Sequence, residues 1–329
     1  MKFKVYKFTS SVPMIPMIII LLIGVTVFAD RGMIPIRTDI SVYEPGQKAI
    51  IAWNGKKEIL ILSTDVYADE STKVLEILPL PSKPSIEKGD FESFEYIEEI
   101  IMKNAPPAAA YREDAKSLGE MGSTKGVEVL FFEKIGAHSI TCVKATDWDE
   151  FTTWAEDFVK KEGLTSVIFP DEFTGIIEKY IRNKFHYFVF DITEIETETN
   201  SVEPIIYTFK TKYLFYPLEI TSIVEGETDI TLFLLTKQTI NVWDTGTGMR
   251  PGTFYSRGFI RIPSVIPGPE EFDGKEVKRD KNTIQIKVTA KEQKRIHRRI
   301  DLLFWGSVYL SVLRYSGDTK GLRNDLLLQ

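Results

Sequence analysis

Two rhythms of apolar and polar residues run along this chain, one of period two and one near 3.6. Residues 49–53 (Ala49-Ile50-Ile51-Ala52-Trp53) and 58–66 are strand-like, and Asn54-Gly55 stands between them. That pair predicts a type I′ hairpin, in which both central residues take positive φ. Residues 74–80 read as another strand, stopped by Pro79, Pro81 and Pro84, which cannot donate to a ladder. The interval then changes. Phe91, Phe94, Ile97 and Ile101 recur against Glu92, Glu95, Glu98 and Glu99, so a helix is expected over 91–103.

Residues 105–126 hold two Pro, three Gly and mixed charges and read as a long loop. A second hairpin is expected from strands 127–135 and 139–145 around Gly136-Ala137-His138. Thr146 or Asp147 caps the next helix, with Glu150 as capping-box partner and Phe151, Trp154, Phe158 and Val159 on its buried face. Phe173, Ile176, Ile177, Tyr180 and Ile181 mark a helix over 171–183. The rest reads as strands at 185–195, 204–213, 218–223, 229–236 and 239–243. No solenoid or propeller period is present. Strands in runs with helices clustered between them predict an α+β fold with largely antiparallel sheets. Residues 30–240 form its core region, and 241–329 a β-rich region packed into the same unit.

The first residues carry a different pattern. Lys2, Lys4 and Lys7 precede a charge-free apolar run over 12–28, and Val27-Phe28-Ala29 offers small residues where a signal peptidase looks. Residues 1–29 therefore read as a cleaved signal peptide. An uncleaved anchor over 12–28 and a buried apolar helix are the alternatives, but Pro13 and Pro16 shorten the run as a membrane span. No later stretch can span. The most apolar one, residues 302–313, is too short and is interrupted by Gly306 and two Ser. A secreted or cell-surface location is expected.

Composition narrows the function. The chain has 329 residues, 41 Lys+Arg and 47 Asp+Glu, a net charge of −6 and one Cys. Losing the three N-terminal Lys makes the processed chain more acidic still. That balance excludes ordinary nucleic-acid binding, and one Cys excludes a disulfide framework or a Cys-built metal centre. No Asn stands in a glycosylation sequon. Few Asn and Gln beside abundant Ile, Glu and Lys give a thermophile-like composition.

Candidate chemistry is sparse. Asp244-Thr245-Gly246 follows Ile240-Asn241-Val242-Trp243 and is similar to the triplet of aspartic proteases, in which two carboxylates share a proton. One copy gives half of such a site, and a Gly-rich turn is the plainer reading. Asp244 is the one catalytic candidate. Cys142 lies four residues after His138, which at a hairpin turn is poorly placed to draw off the thiol proton, and reads as a buried inert thiol. His138, His186 and His297 lack ligand spacing, so no metal and no cofactor are expected. Asp147-Trp148-Asp149-Glu150 is helix-capping charge, not a calcium loop. Lys291, Lys294, Arg295, Arg298 and Arg299 would form a basic stripe on one helix, able to meet anionic lipid or wall phosphate but most simply a solvated face.

Several stretches taken together are similar to a known family. They are Asp30-Arg31-Gly32-Met33-Ile34-Pro35, the run from Val42 through Asn54-Gly55 into Ile59 to Asp65, and Leu75 to Ser82. Tyr180-Ile181 before Phe188-Val189-Phe190, Tyr216-Pro217-Leu218, and Tyr309 to Arg314 with Asn324-Asp325-Leu326-Leu327 complete the pattern. The chain resembles exported archaeal and bacterial proteins grouped as a domain of unknown function. The resemblance spans roughly residues 30–328 and implies an exported single unit without an assigned activity. Three functions stay open: a non-catalytic envelope or extracellular protein binding a protein or small-molecule partner, a secreted hydrolase using Asp244, and a membrane-anchored scaffold.

Overall fold

The computed structural model describes residues 34–35, 42–68, 70–105, 129–164, 169, 171–195, 197, 200–223, 226–252 and 283–329. The expected signal peptide and nearly all of the 105–126 loop lie outside these residues.

The chain opens with strands β1 (Ile34–Pro35), β2 (Val42–Trp53), β3 (Lys57–Ala68), β4 (Thr72–Leu80) and β5 (Ser85–Lys88), then helix α1 (Glu92–Asn104). The hairpin β6 (Val129–Ile135) and β7 (His138–Lys144) leads to α2 (Trp148–Lys161) and α3 (Asp171–Arg182). Strands β8 (Tyr187–Ile195), β9 (Asn200–Ser201), β10 (Ile205–Lys210) and β11 (Leu214–Tyr216) follow, with a 3-10 turn at Glu219–Ile223. The last part holds β12 (Glu227–Thr236), β13 (Arg250–Pro251), β14 (Gln285–Val288), α4 (Ala290–Ile296), α5 (Arg298–Leu303), β15 (Val308–Asp318) and β16 (Leu326–Leu328).

Two sheets carry the fold. One runs β1-β4-β8-β7-β6. The larger runs β13-β15-β12-β2-β3-β10-β5, with β14 on β15 and β9 on β3. Every pairing is antiparallel except β12 with β2. The architecture is α+β. β15, from the C-terminal part, pairs with β12 along its whole length, from Tyr309 to Asp318.

Period-two alternation explains the layers. In β2, Ala49 and Ile51 point into a core shared with Leu78, Leu80, Ile140, Cys142 and Val189 of the smaller sheet. Ile50 and Ala52 point the other way, onto Phe94, Ile97 and Ile101 of α1 and Ile296 and Ile300 of α4 and α5. The smaller sheet's outer face, with Ile77, Val143, Phe188 and Phe190, is covered by Phe151, Trp154 and Phe158 of α2 and Phe173 and Ile177 of α3. The result is a helix–sheet–sheet–helix sandwich. The middle strands are covered on both faces, so residues 74–80 of β4 and 230–236 of β12 are buried almost throughout.

Several expectations are corrected. The 54–55 turn is shifted by one residue. Positive φ falls on Gly55 (91°) but not on Asn54. Asn54 N–H donates to Lys57 O at 3.2 Å, so Gly55 and Lys56 are central, as in a type II′ turn. Pro79 lies inside β4, opposite Phe188, rather than ending it. Among the described residues the far side of β4 carries only β1, at Val74 and Leu75, so Pro79 costs no ladder bond there. The strand expected at 218–223 is a 3-10 turn, because Pro217 interrupts pairing and Asp325 accepts from Glu219 N–H at 2.9 Å. The strand expected at 239–243 is irregular. β12 stops at Thr236, whose hydroxyl donates to Gln238 O, and Asn241 Oδ1 accepts from Trp243 N–H.

The single basic helix is two helices. His297 is extended (φ −165°) and its Nδ1 accepts from Arg299 N–H, closing α4 and opening α5. The stripe is divided accordingly. Arg295 lies over Tyr96 and pairs with Glu99, and Arg299 pairs with Glu87. The capping residues are as expected at α2, where Asp147 accepts from Glu150 N–H at 3.0 Å.

Candidate functional site

Asp244 sits exposed on the turn after β12 and makes no hydrogen bond or ion pair to a described residue. Gly246 and Gly248 take positive φ, and Thr245 and Thr247 bond each other through their hydroxyls at 2.8 Å. An open groove of about 330 Å³ beside it is lined by Ile240, Asn241, Trp243, Thr283 and Gln285, without a carboxylate. Proton sharing between two acids needs a second carboxyl within reach, and this groove supplies none. A second groove, of about 550 Å³, runs between α3 and the 3-10 turn. Its charges are spoken for: Lys179 pairs with Glu219 at 2.5 Å and Lys320 with Glu172 at 3.7 Å.

Cys142 is buried in β7, and burial pushes its thiol up to about 12. His138 lies on the same face of the same strand, four residues away. At roughly 3.4 Å per residue that is about 14 Å, too far for thiol activation.

His138 has a different partner, unannounced by sequence spacing. The register of β7 on β8 sets His138 opposite Thr193 and Ile140 opposite Asp191, so the imidazole leans diagonally onto the Asp191 carboxylate. Nδ1 to Asp191 Oδ2 is 2.7 Å, and Nε2 to the Glu203 backbone oxygen is 3.0 Å. A carbonyl only accepts, so Nε2 carries hydrogen. Nδ1 faces the Asp191 carboxyl, so both ring nitrogens are engaged in buried hydrogen bonds. The Glu203 carboxylate accepts from Ala137 N–H and from Lys88 Nζ at 2.7 Å. Lys88 belongs to the larger sheet and His138 to the smaller, so this network ties the two together. Its His138, Asp191 and Glu203 side chains are buried, so it fits a structural tie and not a catalytic dyad. Among the described residues no cluster of three or more His, Cys, Asp or Glu could hold a metal ion.

A third region is built by strand register. β2 ends at Trp53, β10 at Lys210 and β12 at Thr236, while β3, β5 and β15 begin there. One end of the larger sheet therefore gathers the turns 54–57, 81–84, 211–213, 237–238 and 304–307. They are held together by named bonds. Asn54 Nδ2 donates to Leu303 O at 3.2 Å, Thr211 N–H to Lys56 O at 3.1 Å, and Ser82 Oγ to Lys210 O at 2.7 Å. Exposed lysines at this end are Lys56, Lys57, Lys83, Lys210, Lys212 and Lys237. None makes an ion pair with a described acid, and neither do the exposed Lys144, Lys161, Lys184, Lys287, Lys291 and Lys294 elsewhere. Trp305 (92% exposed), Leu302 (70%) and Tyr213 (42%) stand out from the same end. The turns there contain no Asp or Glu. Sequence reading missed this cluster because its residues come from five separate segments.

Among the described residues no helix is long and apolar enough to cross a membrane. No curated protein matches the chain. Among solved structures the chain is similar to baculovirus P35, at 10% identity and a TM-score of 0.44, over 89% of this chain and 97% of that one. A mutated baculovirus P35 after caspase cleavage matches at 9% identity and a TM-score of 0.39, over 86% and 99%. Likenesses this distant carry no functional argument. Residues 29–260 match the family model of an uncharacterized protein conserved in bacteria, domain of unknown function 2330, and the chain belongs to that family.

Proposed function

We propose that this chain is an exported protein of the cell envelope or extracellular space that works by binding rather than by catalysis. The observation that carries the reading is the end of the larger sheet, where exposed lysines that pair with no described acid share one end with protruding apolar side chains. Large apolar groups left in water at one place mark a surface meant to be covered. The buried His138–Asp191 pair, closed to substrate, adds no competing active site. The basic n-region, the apolar run over 12–28 and Val27-Phe28-Ala29 support export.

The test is expression of the whole chain in a bacterial host, followed by fractionation and N-terminal sequencing. The expected product lies outside the cytoplasm and begins at Asp30. A product beginning at Met1 in the cytosol overturns export, and one beginning at Met1 in the membrane supports the anchored alternative. A hydrolase using Asp244 is excluded or established separately. The wild type and Asp244→Ala are compared on peptide and ester substrates, and an activity lost only in the variant defeats the binding reading.

A further inference from the structure

We propose that the lysine-ringed end of the larger sheet is a membrane-docking surface, which seats Trp305 and Leu302 among the headgroups of an anionic phospholipid bilayer. This rests on the binding reading above and names its partner.

Shape is the first argument. Trp305, on the short connection from α5 to β15, is 92% exposed, and Leu302, in the last turn of α5, is 70% exposed. They project from a sheet end and line neither of the two grooves described above. A projecting indole beside an aliphatic side chain suits insertion into a soft interface, where tryptophan is favoured because one edge is apolar and the N–H stays wet. Tyr213, an amphipathic ring of the same kind, stands on the adjoining turn.

Charge is the second. The ring is made of Lys56, Lys57, Lys83, Lys210, Lys212 and Lys237, with no arginine. An arginine elsewhere forks onto a carboxylate, as Arg299 does on Glu87 through Nε and Nη2. A lysine is a point charge on a flexible stem, which asks little of its partner's geometry. That favours a fluid layer of phosphates over a protein partner with fixed acceptors. Two acids close in sequence to these turns or to α4 are engaged within the protein. Glu58 is buried and accepts from Phe215 N–H, and Glu292 is held in the α4 capping box and by Lys103. Asp301 on α5 is half-buried.

The protein's net charge of −6 does not forbid this. At physiological salt the field of distant carboxylates fades over about 8 Å, so the sign at the contact decides. Each lysine near an anionic surface adds attraction, and the apolar anchors add a part that salt does not screen.

The experiment is sedimentation of the purified protein with two kinds of vesicle. One is equal parts phosphatidylglycerol and phosphatidylcholine, the other phosphatidylcholine alone. The wild type should bind the anionic vesicles and leave the neutral ones largely in solution, with binding weakened by added salt. Replacing Lys56, Lys57, Lys212 and Lys237 together by Gln should weaken binding by roughly tenfold or more. Trp305→Ala with Leu302→Ser should weaken it too. Trp305→Phe should remove the blue shift of tryptophan emission that vesicles induce. All these side chains are exposed, and unchanged circular dichroism confirms the fold of each variant. Equal binding to both vesicles, or indifference to both sets of substitutions, overturns the proposal. Tight binding to soluble polyphosphate that ignores Trp305→Ala overturns it in favour of a wall polyanion. The result is separable from the export test, because vesicle binding is read on purified protein wherever the cell places it.

Discussion

His138 and Asp191 meet at 2.7 Å in the layer between the two sheets, each almost wholly closed to water. Removing one partner of a buried pair leaves the other uncompensated, which costs about 3–5 kcal/mol. Asp191→Ala should therefore lower unfolding free energy by about that much. His138→Phe should do similarly, since it also leaves the Glu203 carbonyl without its donor. The double variant His138→Phe with Asp191→Leu should lose less than the two singles added together. Urea denaturation of all three proteins measures the coupling, and strict additivity would show that the pair does not act as one.

Asp325 offers a pH signature. Its carboxylate accepts from Tyr180 OH at 2.8 Å and Glu219 N–H at 2.9 Å, yet burial is the larger effect and raises it to about 6. An unfolded Asp titrates near 3.9. Between these values the folded state holds a proton that the unfolded state has released, so stability from this group is full below about pH 4. It is lost as pH rises to about 6, by about 2 kcal/mol. Asp325→Asn keeps an acceptor for both bonds and cannot ionise. Its stability should fall less across that window, leaving it as stable as the wild type at pH 7 or more so. Parallel slopes for the two proteins would contradict the assignment.

Cys142 tests the burial of the inner layer. A covered thiol raised to about 12 carries almost no thiolate at neutral pH. Labelling by a maleimide should be slow in the native protein and rapid in urea. Fast native labelling would mean that β7 opens to solvent.

The parts of this fold that were legible in the sequence are those whose signal is local. β4 and α1 are set by the period of Val74 to Leu80 and of Phe91 to Ile101, and α2 by Asp147 ahead of Phe151, Trp154 and Phe158. The misplaced elements lost to side chains from elsewhere in the chain or to local side-chain bonds. Asp325 draws Glu219–Ile223 into a turn, and His297 breaks the basic helix. The parallel pairing of β12 with β2 joins residues far apart and has no local mark. The same holds for function. Asp244 stood out because a triplet is contiguous, while Lys56, Lys212, Lys237 and Trp305 become neighbours only when strand register aligns the ends of β2, β10, β12 and β15.

The first hairpin turn separates two accounts of Asn54. In a type I′ turn Asn54 would occupy positive φ, and Gly would replace it at little cost. Here only Gly55 has positive φ, at 91°. Asn54 serves through its side chain, with Oδ1 accepting from Lys56 and Lys57 N–H at 3.0 and 2.9 Å, and Nδ2 donating to Leu303 O at 3.2 Å. Gly55→Val should cost about 1–3 kcal/mol, since a β-branched residue is strained there even though a Cβ meets no other atom. Asn54→Gly should cost about 1–2 kcal/mol, because it loses three modest bonds and frees the unfolded chain. It should also loosen the tie to α5 beneath Trp305, whereas Gly55→Val leaves that tie in place. Thermal midpoints together with proteolysis near Leu303 distinguish the two variants. If Asn54→Gly melts with the wild type and keeps that segment protected, the asparagine is only a turn former and the Leu303 tie contributes nothing.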